Sequence, residues 1–267
     1  MIDLEGKIAL VSGGARGIGA ETARLMIAAG ARLAVCDVLD EAGQHLVRSL
    51  AGAPGQAIYV HLDVAEKDDW SQAIKTVVAE FGGLDILVNN AGIYVAKDIE
   101  QSTLADWHRI CAVNLTGVFL GTKLALPLLR QRGAASPHGS AIVNVSSVAG
   151  LVGSPVVPLY SMTKGGITTF TKSIALECGR KGYRVRVNSI HPGIIESAMG
   201  DQAIVQRASN LGINDPSIVS AQIAAAYPIG RLGTVTDIAS GILFLASDDA
   251  AFITGAALAV DGGWTAQ

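Results

Sequence analysis

The sequence predicts an α/β fold, in which one doubly wound parallel sheet carries helices on both faces. Two observations predict it. Short apolar runs alternate with helical patterns along all 267 residues, and several runs, such as IALV and LAVC, are apolar at every position. Continuous apolar runs are typical of parallel strands that helices bury on both sides. Because strands and helices alternate strictly, we expect each helix to connect two parallel strands by a right-handed crossover.

The elements follow in order along the chain. We expect about seven strands, because seven short apolar runs are bounded by turn residues or helical patterns: Ile8–Val11, Arg32–Asp37, Ala57–Val64, Leu84–Asn89, Ala141–Ser146, Arg184–Ser189 and Ala257–Val260. Helical spacing predicts helices at Ala20–Ala29, Asp68–Glu80, Leu104–Arg130, Tyr160–Cys178 and Val235–Ala246. From about Ile194 to Tyr227 this rhythm breaks, and we expect a substrate-binding loop there. No linker or repeat divides the chain, so residues 1–267 are predicted to form a single domain.

Composition argues against several classes of protein. Half of the residues are hydrophobic, so the chain can bury enough apolar surface to fold. A net charge of -3 argues against general nucleic-acid binding, which requires a basic face. No uninterrupted apolar run approaches the roughly 18 residues of a membrane span, and the start MIDLEGK lacks the apolar core of a signal peptide. We therefore expect neither a nucleic-acid nor a membrane partner.

The cysteines and histidines indicate neither a disulfide framework nor a metal site. The three cysteines form no CxxC pair and cannot all be bridged, which fits a reducing cytosol: Cys36, Cys111 and Cys178. Four histidines are scattered without the spacing of metal ligands: His45, His61, His108 and His138. The fifth, His191, ends a predicted strand and favours a structural role over a catalytic one. We expect a cytoplasmic protein without a metal.

The first predicted strand runs directly into a glycine-rich turn, Ser12–Gly19, which a helix follows. Glycines suit a turn that must approach a pyrophosphate closely, because a Cβ would block the approach. The N-terminus of the following helix then presents free N–H groups and a positive dipole end to the phosphates. Within the first β–α–β unit, this arrangement predicts a dinucleotide-binding Rossmann fold.

Asp37, which ends the second predicted strand, bears on the choice of cofactor. A carboxylate there can accept both ribose hydroxyls and repels a 2′-phosphate, which favours NAD over NADP. Two alternatives stay open: Asp37 caps the helix that starts near Asp40, or Arg16 in the glycine turn pairs with a 2′-phosphate. Asp63 and Val64 are predicted to end the third strand beside the adenine, with a simple cap as the alternative for Asp63.

Further motifs make the chain resemble the short-chain dehydrogenase/reductase family. After the glycine turn and the strand-end Asp, the family pattern continues in order with Asn89-Asn90-Ala91-Gly92, Tyr160-Ser161-Met162-Thr163-Lys164, Pro192-Gly193 and a closing Asp261-Gly262-Gly263. The stretch 182–193 resembles the hydroxysteroid and cyclic secondary-alcohol branch of the family. The resemblance implies a nicotinamide-dependent oxidoreductase that interconverts a secondary alcohol and its ketone, and Asp37 favours NAD(H) as its cofactor.

The resemblance implies four catalytic residues: Asn114, Ser147, Tyr160 and Lys164. Two serines end the fifth predicted strand, and the family spacing selects Ser147 over Ser146. Tyr160 and Lys164 lie four apart and share a helix face, where an ammonium beside the phenol favours the phenolate. Tyr160 can then exchange a proton with the substrate oxygen. We expect Ser147 to orient that oxygen, Lys164 to hold the nicotinamide ribose, and Asn114 to anchor a water.

The resemblance also implies the cofactor contacts. The Pro192-Gly193 step meets the nicotinamide, Ile195 offers its backbone to the carboxamide, and Ser197 stands where the family usually has Thr. The expected set is Gly13, Arg16, Gly17, Ile18, Gly19, Asp37, Asp63, Val64, Asn90, Ala91, Gly92, Tyr160, Lys164, Pro192, Gly193, Ile195 and Ser197.

The positions expected to face the substrate are mostly apolar or small: Tyr94, Ala149, Leu151, Val152, Gly153, Val157, Ile194, Met199 and Ile204. No Arg or Lys converges on them, so we expect a neutral steroid, cyclic or aryl alcohol. A 3-oxoacyl-carrier-protein reductase, against which Asp37 and His191 count, and a catalytically silent NAD-binding protein are the alternatives. The low proportion of charged residues implies apolar surface that a monomer could hardly expose, and members of the family usually pair through their long helices. Together these observations predict a homotetramer.

Overall fold

The computed structural model describes residues 2–154 and 156–266, and its strands form one parallel sheet. The strand order is β3-β2-β1-β4-β5-β6-β7, and every pairing between neighbours is parallel. The strands are β1 Ile8–Ser12, β2 Arg32–Asp37, β3 Gln56–His61, β4 Ile86–Asn89, β5 Ser140–Val145, β6 Val185–Pro192 and β7 Ala257–Val260. The predicted fold class is confirmed.

Helices cover both faces of this sheet. They are α1 Gly17–Ala28, α2 Asp40–Ser49, α3 Lys67–Phe81, α4 Leu104–Cys111, α5 Gly117–Ala135, α6 Pro158–Arg180, α7 Ala198–Asn210, α8 Pro216–Ala226 and α9 Val235–Ala246. In β1, Ala9 and Val11 pack into one apolar core with α1 and α9. Ile8 and Leu10 point to the opposite face and pack with α3, α5 and α6. Each face of the central strand is therefore buried, which explains its continuous apolar run.

The sheet order reverses at β1, which lies between β2 and β4. In doubly wound sheets ligands bind outside the carboxyl ends of the strands at such a point. Four of the sequence motifs follow strands that end at this edge: the glycine turn after β1, the Asn-rich turn after β4, the paired serines after β5 and the Pro-Gly step at the end of β6.

Two strands, β3 and β6, end three residues away from their predicted last residues. β3 ends at His61, so Asp63 and Val64 follow the strand instead of ending it. The Asp63 carboxylate accepts a hydrogen bond from the Ala65 N–H and starts a turn there. In contrast, β6 continues to Pro192, because its last residues pair with β7.

The stretch 194–227, where the sequence loses its rhythm, contains the two helices α7 and α8. Ser197 caps α7 through the Gly200 N–H, and Pro216 occupies the first turn of α8. The two helices share a small apolar core with the segment that follows them, formed by Ile204, Ala208, Val219, Ile223, Tyr227 and Leu232. Small and polar residues between these positions hide the helical spacing in the sequence.

The helical stretch Leu104–Ala135 joins α4 and α5 through a π-helical turn, Ala112–Thr116. Its length and mean hydropathy alone would allow it to cross a membrane, and 44% of its most apolar window is buried in the structure. A helix that packs in a protein core passes the same test. Here Leu120, Ala125 and Leu129 pack beneath the sheet, which accounts for the apolar inner face.

Candidate active site

A cleft of about 630 Å³ opens at the carboxyl edge of the sheet, around the β1–β4 switch point. Nearly the whole set of predicted cofactor contacts lines it: Gly13, Arg16, Gly17, Ile18, Asp37, Asp63, Val64, Asn90, Ala91, Gly92, Tyr160, Lys164, Pro192, Gly193, Ile195 and Ser197. Gly19 is buried beneath the turn and does not reach the cleft surface. Elements far apart in sequence thus converge on one site.

The glycine turn forms a cradle that a side chain would fill. Gly13 has a φ of +63°, and a Cβ there would lie 2.7 Å from the Ala91 Cα. A Cβ at Gly19 would collide with the Gly13 carbonyl oxygen. The Asn90 amide nitrogen donates to the carbonyl oxygens of Ser12 and Gly13 at 3.0 and 2.8 Å, which fixes the turn against the loop after β4. The residues present therefore fit a pyrophosphate on the N-terminus of α1.

Asp37 is held in place at the end of β2. Its carboxylate accepts hydrogen bonds from the N–H groups of Ala15 at 3.0 Å and Leu39 at 3.1 Å, and the residue is only 8% exposed. Its side chain does not cap α2, whose N-cap residue is Leu39. Arg16 lines the same cleft, is exposed and forms no ion pair with any acidic side chain in residues 2–154 or 156–266.

Ser147, Tyr160 and Lys164 lie close together in the lining of the cleft. Lys164 Nζ donates to the Val145 carbonyl oxygen at 2.9 Å and lies 5.5 Å from the centroid of the Tyr160 ring. The Ser147 hydroxyl is close enough to the phenol to lower its pKa. Ser146 has a different role, because its hydroxyl donates to the Lys164 carbonyl oxygen at 2.9 Å and braces α6 against β5.

Asn114 lies in the π-helical turn and is fully buried. Its amide oxygen accepts from the Ile93 N–H at 2.8 Å, and its amide nitrogen donates to the Ile93 carbonyl oxygen at 3.0 Å and to Thr163 Oγ1 at 3.2 Å. Both amide hydrogens are therefore used within the protein. Asn114 thereby ties the loop after β4 to α6. Its amide oxygen keeps a second lone pair, so the water that it is expected to anchor stays a prediction.

Burial dominates the protonation of Tyr160 and Lys164. It raises the pKa of Tyr160 to about 12, although the Ser147 hydroxyl opposes the rise. It lowers the pKa of Lys164 to about 8. Lys164 was expected to make the phenol of Tyr160 more acidic. In the protein alone the pKa of Tyr160 is raised instead, because burial outweighs the other effects. At neutral pH Tyr160 is a phenol, and Lys164 is mostly an ammonium.

The predicted substrate positions divide into four groups. Tyr94, Ile194 and Met199 line the cleft. Ala149 and Val157 pack around Tyr160 in an apolar cluster, in which the rings of Tyr94 and Tyr160 meet edge to face with centroids 5.1 Å apart. Leu151, Val152 and Gly153 lie on the exposed turn after β5, and Ile204 is buried between α7 and α8. The assignment of Ile204 to the cleft was wrong, because its side chain holds those helices together.

One positively charged side chain near Tyr94, that of Arg207, was not predicted from the sequence. Burial raises the pKa of Tyr94, and the positive charge of Arg207 on α7 partly opposes that rise. Arg207 is exposed and is not a lining residue of the cleft. Its proximity to Tyr94 depends on how α7 folds over the site, so no local sequence pattern reports it.

Other lining residues were also missed. They lie next to the predicted positions or come from elements that pack over them: Val38, Leu39, Leu62, Ile93, Val113, Val145, Ser146, Glu196, Ala198, Gly200, Ala203 and Val235. Their signal in the sequence is proximity to the carboxyl ends of strands. Val113 and Val235 carry no such signal, since only tertiary packing brings their helices to the cleft.

A doubly wound fold with a dinucleotide cradle beside a Ser–Tyr–Lys cluster defines a nicotinamide-dependent oxidoreductase. A family model described as enoyl-(acyl carrier protein) reductase matches residues 13–265. The chain is 42% identical over 266 residues to a 3-alpha-(or 20-beta)-hydroxysteroid dehydrogenase of Mycobacterium tuberculosis, covering 98% of this chain and 91% of that protein. It is 36% identical over 261 residues to a cyclopentanol dehydrogenase of Comamonas testosteroni, with 98% of each chain covered. An NADP-dependent (R)-specific alcohol dehydrogenase of Lentilactobacillus kefiri is 36% identical over 264 residues, covering 99% of this chain and 98% of that one.

The chain belongs to the short-chain dehydrogenase/reductase family, in the branch of hydroxysteroid, cyclopentanol and other secondary-alcohol dehydrogenases. The resemblance drawn from the sequence motifs is thereby confirmed. Membership in this branch supports oxidoreduction of a secondary alcohol with a nicotinamide cofactor.

Proposed function

We propose that the protein interconverts a neutral, mostly apolar secondary alcohol and its ketone, with NAD(H) as cofactor and Tyr160 as the proton-transferring group. The observation that carries the proposal is that Ser147, Tyr160 and Lys164 line the same cleft as the glycine cradle. The bound cofactor supplies hydride transfer at its nicotinamide ring.

The side chains have separate roles in this mechanism. Tyr160 removes the hydroxyl proton of an alcohol, or donates a proton to a ketone in the reverse direction. Ser147 orients the substrate oxygen beside the phenol. Lys164 holds the nicotinamide ribose, and its charge stabilises the phenolate when that form is needed. Asn114 keeps the loop after β4 fixed against α6, through Ile93 and Thr163.

The preference for NAD rests on Asp37. Its carboxylate is fixed by two backbone N–H groups and lines the cleft at the end of β2, where a 2′-phosphate would meet its negative charge. Arg16 on the same cleft favours the alternative, and a relative named as NADP-dependent keeps that alternative open. We favour NAD because Asp37 is held rigidly, whereas Arg16 is exposed.

The substrate class rests on the cleft wall and on the names of the relatives. Tyr94, Ile194 and Met199 present apolar surface beside Tyr160, and apolar walls with few polar groups suit steroid, cyclic and aryl alcohols. Relatives named for a hydroxysteroid and for cyclopentanol agree with that class.

Two other functions remain as alternatives. A 3-oxoacyl-carrier-protein reductase would share the fold, and the matching family model is described as an enoyl-(acyl carrier protein) reductase. A catalytically silent NAD-binding protein would share the cleft. The secondary-alcohol enzyme is favoured over both, because the relatives are named as alcohol dehydrogenases and the Ser–Tyr–Lys cluster is intact.

We also propose a cytoplasmic homotetramer. Several large apolar side chains are exposed on α4, α5, α6 and the segment before β7: Leu104, Phe119, Met162, Leu176 and Phe252. Assembly through the long helices would cover much of this surface. The free cysteines Cys36, Cys111 and Cys178 agree with a reducing compartment.

A panel of substrates separates these functions. Steroids, cycloalkanols, aryl alcohols and acetoacetyl thioesters are each assayed with NAD(H) and NADP(H), and we expect turnover of the alcohols with NAD. Turnover confined to the thioesters would identify the carrier-protein reductase. Tight NADH binding without turnover of any compound would identify the silent binding protein.

A further inference from the structure

His191 is a fully buried residue near the end of β6, directly behind the catalytic serine. Its Nδ1 lies 2.9 Å from the Ser147 carbonyl oxygen, and its Nε2 lies 2.8 Å from Ser189 Oγ. A carbonyl oxygen only accepts hydrogen bonds, so Nδ1 must carry the hydrogen. In the neutral ring Nε2 is then an acceptor, and the Ser189 hydroxyl donates to it at 2.8 Å in preference to the Ala256 carbonyl oxygen, which lies farther away at 3.3 Å. The contact with Ser147 thus fixes the tautomer of His191.

The His191 side chain extends the hydrogen bonding of the sheet beyond its last backbone ladder bond. The Ser146 N–H donates to the Ile190 carbonyl oxygen at 2.9 Å. Pro192 has no N–H with which to continue the ladder. The imidazole supplies an N–H to the next residue of the neighbouring chain segment, Ser147.

Ser147 has few other polar anchors. The Ala149 N–H donates to its hydroxyl at 3.1 Å, and the Gly150 N–H donates to its carbonyl oxygen at 2.9 Å. Both donors belong to the partly exposed turn that Ser147 itself begins. Among these contacts of Ser147, the bond from His191 is the one that comes from a different and fully buried element.

We infer that His191 is a positioning residue for Ser147: its Nδ1–H holds the Ser147 peptide in the orientation that turns the serine hydroxyl toward Tyr160. This inference rests on the proposed function, in which Ser147 orients the substrate oxygen. Burial lowers the pKa of His191 although the hydrogen bond to Ser147 opposes the change, and the positive charges of Lys164 and Lys172 add to the lowering; a neutral ring that donates through Nδ1 alone agrees with this. His191 itself transfers no proton and touches no substrate.

Three substitutions test the inference. The side-chain amide nitrogen of Asn can occupy the place of the His191 Nδ1, whereas that of Gln reaches the place of Nε2. We expect His191→Leu and His191→Gln to lower kcat by about 10- to 100-fold, as for small displacements of reacting groups. We expect His191→Asn to restore kcat to within about threefold of the wild type. The NADH dissociation constant is expected to stay unchanged in all three. His138→Leu, the same change in an exposed loop at the opposite edge of the sheet, is the control.

Two results would overturn the inference: a wild-type kcat in folded His191→Leu, or an Asn variant as slow as the Gln variant. If the Leu variant does not fold, the comparison of Asn with Gln decides. ¹⁵N NMR of the imidazole gives an answer independent of activity, because we expect a protonated Nδ1 and a bare Nε2 in the wild type. The opposite tautomer would contradict the geometry. A wild type that oxidises no alcohol would instead refute the proposed function and leave the NMR result standing.

Discussion

At the reacting centre, burial acts in opposite directions on two neighbouring side chains. It raises the pKa of Tyr160 to about 12 and lowers that of Lys164 to about 8, because each charged form loses its hydration. Under the proposed mechanism, Tyr160 in the protein alone is therefore a proton donor, the form that ketone reduction uses. Alcohol oxidation needs the phenolate, a minor species at neutral pH that positive charge beside the ring must stabilise.

This arrangement predicts different pH profiles for the two directions. The phenolate fraction rises about tenfold per pH unit below the phenol pKa, so kcat/KM for alcohol oxidation should rise between about pH 6 and pH 8. Ketone reduction uses the phenol and should stay nearly flat over the same range. Above about 8, where Lys164 loses its charge, the rise should flatten. Initial rates in both directions test this, and an oxidation rate that falls with pH would contradict it.

Cofactor choice is also decided at one residue. Asp37→Ala removes the carboxylate that opposes a 2′-phosphate, so we expect the ratio of kcat/KM for NAD to that for NADP to fall by about tenfold or more. Asp68→Ala, the same change at an exposed position on α3 outside the cleft, should leave the ratio unchanged. Steady-state kinetics with both cofactors measure it. A wild type that already prefers NADP would show the interpretation of Asp37 to be wrong.

Residue patterns predicted the part of the site that local spacing determines. Tyr160 and Lys164 share a face because they lie one helical turn apart, and Gly13 stands in a turn that no side chain fits. The partner of Asn114 could not be predicted, because Ile93 reaches it only through the packing of the loop after β4. For the same reason Ile204 was misplaced: its burial depends on α8.

One buried arginine links two elements of the fold. Arg186 on β6 donates to the carbonyl oxygens of Leu245 and Ser247 at 2.8 Å each, at the C-terminal end of α9. The last carbonyl groups of a helix lack partners within the helix, so this side chain satisfies groups that would otherwise be buried without a hydrogen bond.

Replacing this arginine should therefore weaken the fold. We expect Arg186→Met to lower the free energy of unfolding by about 3 kcal/mol, because buried carbonyl groups lose their donor. Arg180→Met, at the exposed end of α6, should change it by less than about 0.5 kcal/mol. Urea unfolding followed by circular dichroism measures both. Equal stability of the two variants would contradict this role for Arg186.

At the scale of elements, predictability followed the hydrophobic pattern. Strands buried on both faces, such as β1 and β5, give continuous apolar runs and were located to within a residue at each end. The helices α7 and α8 were not recognised, since they pack against each other and need only a narrow apolar stripe. The π-helical turn 112–116 could not be recognised from the sequence. Such a turn contains one extra residue, which the packing around the helix accommodates whatever the local composition.

For the whole molecule, the low proportion of charge leaves apolar side chains exposed on α5 and α6, among them Phe119 and Leu176. We expect light scattering to give a mass about four times the 27.5 kDa of one chain. Leu176→Asp should shift the protein to smaller species, whereas Val205→Asp, on the exposed side of α7, should not. A wild-type monomer at micromolar concentration would contradict the tetramer.

The central claim is that Tyr160 transfers the proton in an NAD-dependent alcohol oxidation. The most direct test compares wild type and Tyr160→Phe in two measurements: NADH binding by fluorescence titration, and NADH formation from NAD with a cyclic or steroid alcohol. We predict unchanged binding and a kcat lower by about 100-fold or more, because Phe keeps the ring and removes the transferable proton. Turnover by the variant within tenfold of wild type would contradict the account.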